Sequence, residues 1–329
     1  MRTMIHTKAT TFAALLLSAL PAAVQAEDYS YENNNGAVII TKYTGPGGAV
    51  IIPDKIEGLP VASIGSRAFR YCNSLTSVQI PNSVTNIEPY AFHRCTGLTS
   101  VTIGDGVTSI GSHAFLGCGS LTNVTMPNSV TSIGDSAFRY CSGLARFRLP
   151  DSVTTIGSLA FSGCSKLDIT LPQSVTSIGS SAFESCTSLT SVTIPGSLTN
   201  LGGGAFSACS SLTSITIPEG VTRIGIYTFL SCTNLTSVTI PDSVTRIGDS
   251  VFSHCHRLAS VTIGKGVTHI GQRTFLGCRN LKAVYFKGNA PDVGNDLFQY
   301  ADKATVYYLP GTTGWERKLE GRPTKVWKP

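Results

Sequence analysis

A 23-residue unit that recurs along most of the chain constrains this sequence more than any other feature. The copy from Leu121 to Gly143 reads LTNVTMPNSVTSIGDSAFRYCSG, and the preceding copy, from Leu98 to Ser120, repeats the same apolar pattern. A fixed period of this length is the signature of a solenoid, in which each unit forms one coil. A single coil leaves its apolar face exposed, whereas stacked coils bury these faces against each other. The period therefore predicts one elongated domain rather than several globular ones.

Two columns of apolar residues give the register of the repeat. Every step is 23 residues except the steps from Phe161 to Phe183 and from Cys164 to Cys186, which are 22 because one position is lost between Leu167 and the following strand. The Phe column consists of Phe69, Phe92, Phe115, Phe138, Phe161, Phe183, Phe206, Phe229, Phe252, Phe275 and Phe298. The Cys column consists of Cys72, Cys95, Cys118, Cys141, Cys164, Cys186, Cys209, Cys232, Cys255 and Cys278.

Each part of the unit predicts its own local structure. The alternating apolar residues of Leu-x-x-Val-x-Ile predict a short strand, and Val-x-x-Ile-Gly predicts a second extended segment. Ala-Phe-x-x-Cys has helical spacing, which predicts a short helical turn. Glu88 replaces the Gly of the Ile-Gly pair in one coil. The Gly column therefore indicates close packing or helix entry rather than an obligatory left-handed backbone. Twelve rungs from Ile52 to Leu309 predict an array about 50 Å long.

The ends of the chain depart from the pattern. Residues 27–60 are interpreted as an N-terminal cap, in which 37–40 and 49–52 form a β-hairpin around a Gly/Pro turn. Regular repeats then occupy residues 61–288. Residues 289–329 are interpreted as a degenerate last repeat and a C-terminal cap, because terminal coils must meet water on their outer faces.

Residues 1–26 read as a secretory signal peptide. Arg2 and Lys8 precede a short apolar run, and Val24-Gln25-Ala26 fits a small-residue cleavage site. A membrane anchor is the alternative, but the run is shorter than the ~20 residues of a span. Removing the segment leaves 23 basic and 19 acidic residues, a charge of +4 that does not indicate nucleic-acid binding.

The whole pattern L-x-x-V-x-I-P-x-S-V-x-x-I-G-x-x-A-F-x-x-C, in register over about residues 50–310, resembles the BspA-like (Treponema pallidum-type) leucine-rich repeats of secreted and surface-bound bacterial proteins. The resemblance implies a curved leucine-rich-repeat solenoid with a parallel β-sheet on its concave face. It also implies a role in adhesion or protein–protein interaction. It supplies no catalytic residues to carry over to this chain.

The cysteines allow three interpretations. Ten Cys in an exported chain suggest disulfides, but parallel Cβ vectors one coil apart leave the Cβ atoms too distant for a good bridge. A ladder of small buried hydrophobes is therefore favoured over disulfides or metal. His254-Cys255-His256 has metal-ligand residue types, yet residues i and i+2 on a helical turn do not converge. Two exposed His beside a core Cys are the favoured interpretation, and no metal site is predicted.

Two irregularities mark candidate binding residues. Arg146-Phe147-Arg148 places two guanidinium groups on one exposed rung, where the alternative is an isolated basic pair in solvent. Arg223, Arg246 and His269 occupy one position in successive coils, within a stretch, 221–287, of net charge +6. Residues 151–220 carry a net charge of −3. Such asymmetry can steer an anionic partner, and unselected surface charge is the alternative.

The sequence therefore predicts a secreted or cell-envelope protein that is a non-enzymatic binding or adhesion module. Its expected partner is a protein or a surface glycan, and the basic positions favour an anionic one. No catalytic set, cofactor, nucleic-acid partner or membrane span of the mature chain is predicted, and the expected state is a monomer. The alternative is a structural envelope component without a specific ligand, which a uniform Ser/Thr surface would favour.

Overall fold

The structure is a computed structural model that describes residues 26–328. The signal-peptide prediction falls almost wholly outside these residues. Within them the chain forms a parallel β-solenoid of about 12 turns, which confirms the predicted leucine-rich-repeat solenoid. Ala26–Asp28 forms the one helical segment of the described residues, a single 3-10 turn.

Short strands make up nearly all of the regular structure. The described strands are β1 (Tyr29–Asn34), β2 (Ala37–Tyr43), β3 (Gly48–Ile51), β4 (Lys55–Ile56), β5 (Leu59–Ile64), β6 (Leu75–Gln79), β7 (Asn86–Ile87), β8 (Ser100–Thr102), β9 (Ser109–Ile110), β10 (Asn123–Thr125), β11 (Ser132–Ile133), β12 (Arg146–Arg148), β13 (Thr155–Ile156), β14 (Asp168–Thr170), β15 (Ser177–Ile178), β16 (Ser191–Thr193), β17 (Asn200–Leu201), β18 (Ser214–Thr216), β19 (Arg223–Ile224), β20 (Ser237–Ile240), β21 (Arg246–Ile247), β22 (Ser260–Ile263), β23 (His269–Ile270), β24 (Ala283–Phe286), β25 (Asp292–Val293), β26 (Thr305–Tyr308), β27 (Lys318–Leu319) and β28 (Arg322–Val326).

These strands lie on two faces of the solenoid. The first sheet face contains β3, then the even-numbered strands from β6 to β28, which carry the Leu-x-x-Val-x-Ile segments. The second sheet face contains β2 and the odd-numbered strands from β5 to β25, which carry Val-x-x-Ile. Neighbouring coils pair in parallel, one residue opposite its counterpart in the next coil. The Ala-Phe-x-x-Cys segments form a third surface, which we call the turn face.

The Phe column forms a continuous ladder through the core. Successive rings from Phe69 to Phe298 lie nearly parallel, with centroids 4.8 Å apart at the start and 6.0 Å apart between Phe206 and Phe229. Tyr43 extends the ladder at its first end, stacked 4.9 Å from Phe69. Stacked rings of this kind join each coil to the next over the length of the molecule.

The Cys column forms a second ladder of free thiols, as the favoured interpretation predicts. From Cys95 onward each thiol donates a hydrogen bond to the Phe carbonyl oxygen one coil back, for example Cys118 Sγ to Phe92 O at 3.1 Å. Burial raises the pKa of Cys164 to about 12. The Cys164 thiol therefore remains protonated, and the thiols of the ladder act as small core residues with one satisfied donor.

Ser and Thr side chains satisfy backbone carbonyl groups between coils. Thr99 Oγ1 donates to Thr76 O at 2.8 Å, and Ser129 Oγ donates to Val107 O at 2.6 Å. The same contacts recur in coil after coil. The hydroxyl columns thus have a structural function that explains why a chain with 13% charged residues is covered in Ser and Thr.

The prediction of a short helical turn in the Ala-Phe-x-x-Cys segment is wrong. On the turn face, alternate N–H groups donate to different partners: Cys95 N bonds Phe92 O within the coil, whereas Phe92 N bonds Ala114 O in the next coil at 2.7 Å. Left-handed residues such as Tyr90 and Arg94, with φ of 62° and 56°, interrupt any helix. The segment is a pair of tight turns because hydrogen bonds between coils replace the i to i−4 bonds of a helix.

Close packing, one of the two interpretations that the sequence left open, accounts for the Gly column. Gly111 does not have a positive φ, but a Cβ there would lie 2.3 Å from Ile87 O. Glu88, the exception, uses its carboxylate to accept hydrogen bonds from Ser66 N at 2.9 Å and Ser63 Oγ at 3.1 Å. The carboxylate therefore ties its coil to the preceding one.

The N-terminal segment contains a hairpin, but not the predicted one. β1 and β2 pair antiparallel through Asn35-Gly36, both with positive φ. The two apolar runs expected to pair with each other instead lie on different faces: β2 pairs in parallel with β5, and β3 with β6. The prediction was wrong because each run already has the apolar pattern of a coil and pairs with the equivalent strand of the next coil.

Similar short hairpins lie near both ends. Lys55-Ile56-Glu57-Gly58-Leu59-Pro60 pairs β4 with β5, and the related Lys318-Leu319-Glu320-Gly321-Arg322-Pro323 pairs β27 with β28. Trp315 stacks on Tyr308 at 5.1 Å, and Trp327 lies 5.0 Å from Tyr285. The boundaries of the caps and of the regular repeats stay predictions.

Candidate functional site

The predicted rung Arg146-Phe147-Arg148 is strand β12 on the first sheet face. Both Arg side chains are exposed, whereas Phe147 is buried, with 4% of its surface accessible. Its ring lies 5.3 Å from the rings of both Phe138 and Phe161. Phe147 therefore belongs to the core, and the two arginines flank it on the exposed side of the strand.

The register of β12 adds an acidic residue to this site. Arg146 lies directly opposite Asp168, and Arg148 opposite Thr170. An open depression of about 480 Å³ is lined by this rung together with Asp151 and the β14 strand. Asp168 was not among the residues predicted from the sequence, because the 22-residue step is what brings it opposite Arg146. That short step is the sequence signal from which Asp168 could have been found. The site thus presents both signs of charge.

The hydrogen-bonded ladder of the first sheet face is interrupted on both sides of the pair that this rung forms with β14. β12 pairs with β14, and this pair is separate from the sheet that ends at β10 and from the one that begins at β16. Phe147 stands where Val124 stands one coil earlier, and a phenyl ring takes more room than an isopropyl group. We attribute the upstream interruption to this larger core residue.

The second predicted site lies on the second sheet face. Arg223, Arg246 and His269 are register neighbours on β19, β21 and β23, and both Arg side chains are exposed. The column continues to Asp292, whose Oδ2 lies 3.4 Å from His269 Nε2. A shallow groove of about 720 Å³ runs along these strands. Asp292 was missed although it follows His269 by one full repeat.

The two predicted sites are therefore on different faces, and the structure does not bring them together. Within the described residues, the guanidinium groups of Arg146, Arg148, Arg223 and Arg246 have no ion pair or side-chain hydrogen bond. Arg223 and Arg246 place like charges side by side, which destabilises a sheet. An anion bound between them would relieve this repulsion.

The His254-Cys255-His256 segment does not form a metal centre. The two His rings are 5.8 Å apart in an edge-on arrangement, and His256 Nδ1 lies 3.1 Å from Gly277 O. In residues 26–328, no three His, Cys, Asp or Glu side chains are grouped to hold a metal ion. The same part of the chain has no helix long and apolar enough to cross a membrane.

Stacked 23-residue coils with one strand on each sheet face, and Phe and Cys ladders between them, define a leucine-rich-repeat solenoid protein. The family model described as BspA type leucine rich repeat region matches residues 62–190 and 176–305. The chain belongs to this family. None of the curated proteins compared with the chain matches it.

Several solved structures resemble this one. A leucine-rich repeat protein from Bacteroides ovatus ATCC 8483 is 24% identical, with 92% of this chain and 98% of that protein aligned and a TM-score of 0.64. A leucine rich cell surface protein from Faecalibacterium prausnitzii A2-165 is 29% identical over 83% and 96% of the two chains, with a TM-score of 0.42. The T. pallidum leucine rich repeat protein is 27% identical over 78% and 90%, with a TM-score of 0.34. The first likeness shows the shared fold.

Proposed function

We propose that this chain is an exported, non-enzymatic binding module that attaches to a protein or a surface glycan. Membership of a family of bacterial surface repeat proteins, whose solenoids are generally binding modules, supports the proposal. The N-terminal sequence pattern supports export. Solenoids offer long, rigid surfaces, and binding through such surfaces is their common mode of action.

The observation that carries the proposal is the rung of Arg146 and Arg148. Both guanidinium groups are exposed and lack protein partners, and Asp168 lies beside Arg146 in the register. Both arginines and Asp168 line the same open depression. An arginine fork held on a rigid strand suits bidentate recognition of a carboxylate, phosphate or sulfate group, and Asp168 can accept a donor from the same partner.

An affinity capture experiment tests this site. The mature chain is immobilised and exposed to envelope and host-surface extracts, and captured material is compared with that of an Arg146→Ala/Arg148→Ala variant. Ser214→Ala/Thr216→Ala, at equivalent exposed positions of β18, is the matched control. Loss of a captured partner in the arginine variant alone supports the proposal. Equal capture by all three chains, with intact folding by circular dichroism, would remove this rung as the binding site.

A structural envelope role is the second candidate, and one observation favours it. The Thr and Ser columns donate hydrogen bonds from coil to coil, so much of the polar surface stabilises the solenoid itself. If the mature chain captures nothing above background from any extract, and its absence alters envelope integrity, this candidate replaces binding as the function.

A further inference from the structure

A cluster of basic and aromatic side chains covers the turn face of the coils that contain Phe69, Phe92, Phe115 and Phe138. These side chains occupy three positions of each coil: two residues before Phe, one after it and two after it. Nine of these 12 positions carry Arg, Tyr or His, and none is acidic. We call the nine residues the turn-face cluster: Arg67, Arg70, Tyr71, Tyr90, His93, Arg94, His113, Arg139 and Tyr140.

The next coils on the same face have a different composition. In the coils of Phe161, Phe183, Phe206 and Phe229, the same 12 positions hold no basic residue, and Glu184 is the one acidic residue. Ser, Gly, Ala, Leu and one Tyr fill the others. Because the fold is the same in both stretches, the solenoid itself does not require the turn-face cluster.

Two of the three positions have positive φ in all eight of these coils, and the cluster fills most of its own with large side chains. Six of its residues, including Tyr71, Tyr90 and Arg94, have φ between 56° and 63°, a region that disfavours bulky side chains. Glycine occupies the same columns at Gly117 and Gly163, where it is conformationally preferred. Gly163 also makes room for the cluster, since a Cβ there would lie 2.4 Å from the Tyr140 ring. Stability alone would favour glycine at these positions.

Contacts inside the cluster hold the guanidinium groups in place. Arg70 lies over the Tyr71 ring with its Cζ 4.6 Å from the centroid, and its Nη2 donates to the Tyr71 hydroxyl at 3.1 Å. Arg139 is held over Tyr140 in the same way, at 4.6 Å and 2.9 Å. Cation–π contacts of this geometry reduce the freedom of the arginines before a ligand arrives.

The ring faces of the cluster are themselves partly covered. Tyr90 stacks on His113 at 4.5 Å, and Arg67 lies 5.5 Å above the same Tyr90 ring. The cation-bearing faces of Tyr71 and Tyr140 are taken by their neighbouring arginines. The free recognition groups are thus the outer edges of the guanidinium groups, which bind oxyanions.

Nearby acidic and backbone groups are already engaged. Asp135 Oδ1 accepts a hydrogen bond from Ser158 N at 2.7 Å, and the Glu88 carboxylate accepts one from Ser66 N. Main-chain N–H groups on this face bond to the next coil, as Tyr71 N does to His93 O at 2.9 Å. The described residues contain no ion pair to any of the cluster's four arginines, and the backbone offers no open strand edge.

We propose that the turn-face cluster binds a linear sulfated polysaccharide. Peptides that add as a strand need an unpaired edge, and single-stranded nucleic acids need free ring faces for base stacking. A sulfated chain needs only repeated anionic contacts, which arginines spaced along coils about 5 Å apart can supply. The cluster lies on neither sheet face, so the proposal goes beyond the binding site at Arg146 and Arg148 and does not depend on it.

Heparin binding by calorimetry at physiological salt tests the proposal, with heparin as the sulfated probe. The variant is Arg70→Ser/Arg139→Ser, because Ser162 and Ser207 occupy the same column in later coils. The control is Lys318→Ser/Lys325→Ser, which removes the same charge from exposed positions of the C-terminal hairpin. The cluster variant is expected to weaken heparin binding about tenfold or more, and the control to leave it nearly unchanged.

Three results would overturn the proposal. They are no heparin binding by the unaltered chain, equal weakening in the two double variants, and equally tight, Arg70- and Arg139-dependent binding of polyglutamate or single-stranded DNA. The Arg146→Ala/Arg148→Ala variant separates the two sites: it is expected to keep the part of heparin binding that depends on Arg70 and Arg139, whether or not it loses its partner in the capture experiment.

Discussion

Replacing Phe229 by Ala tests how the coils are joined. The Phe229 ring is fully buried and stacks on Phe206 at 6.0 Å and on Phe252 at 5.6 Å. The second sheet face is interrupted just before this coil, between β17 and β19, and the first sheet face just after it, between β18 and β20. The Phe ladder and the hydrogen bonds of the turn face therefore carry an unusual share of the cohesion here.

The local packing explains why this place is weak. Earlier coils have Ala before the Phe, but Thr228 stands there in this coil, and the larger side chain accompanies the widest ring spacing of the ladder. Removing a buried Phe side chain costs about 3–5 kcal/mol through lost transfer energy and the cavity left behind. In a solenoid each coil contacts only its neighbours, so such a loss uncouples the two halves.

The assay uses the position of the tryptophans. Trp315 and Trp327, the two Trp of the chain, report the last coils, whereas circular dichroism reports all of them. In urea titrations, Phe229→Ala is expected to lower the free energy of unfolding by about 3–5 kcal/mol. Tryptophan fluorescence and circular dichroism are expected to give different unfolding midpoints for this variant. Phe115→Ala is the matched control, since its neighbours are 5.1 and 5.2 Å away and both sheet faces are continuous there.

Two results would refute the reasoning. A loss below about 1 kcal/mol would mean that the ring contributes far less than its burial implies. Coincident midpoints in Phe229→Ala, as in the control, would show that the interrupted sheets do not weaken the junction.

Three further predictions concern charge and thiol chemistry. Arg246→Ser should stabilise the fold by about 0.2–1 kcal/mol by removing the like charge beside Arg223, with a gain that shrinks in high salt, as thermal melts would show. Burial, aided by Arg70 and Arg94, holds the pKa of His93 below its usual 6.5. The folded state therefore binds this proton less readily than the unfolded state. The contribution of His93 to the free energy of unfolding is complete above about pH 6.5 and falls as the pH drops further. In urea titrations, His93→Gln should therefore make the free energy of unfolding less dependent on pH between about pH 5 and 7. Iodoacetamide should modify Cys72 slowly, because burial raises its pKa to about 11, and the other nine Cys only after unfolding, as counted by mass spectrometry.

The repeat alone determined the coil and its core. A residue that recurs every 23 positions, such as Phe or Cys, must occupy the same place in each coil, so its burial follows from the period. For the Gly column, Glu88 showed that no left-handed backbone was needed, whereas the choice between close packing and helix entry came from the structure. The Asn35-Gly36 hairpin also has a sequence signal, because Asn-Gly favours the tight turn that joins β1 and β2.

The tertiary structure alone decided the features that depend on contacts between coils. The turn segment has helical spacing, yet its N–H groups bond to the next coil, and no local pattern reveals that choice. Arg146 lies opposite Asp168 in the sheet only because a one-residue deletion shifts the register. The turn-face cluster joins residues about one repeat apart through ring and guanidinium contacts. Sequence periodicity fixes which residues face inward, but side-chain geometry across neighbouring coils decides what the surface can bind.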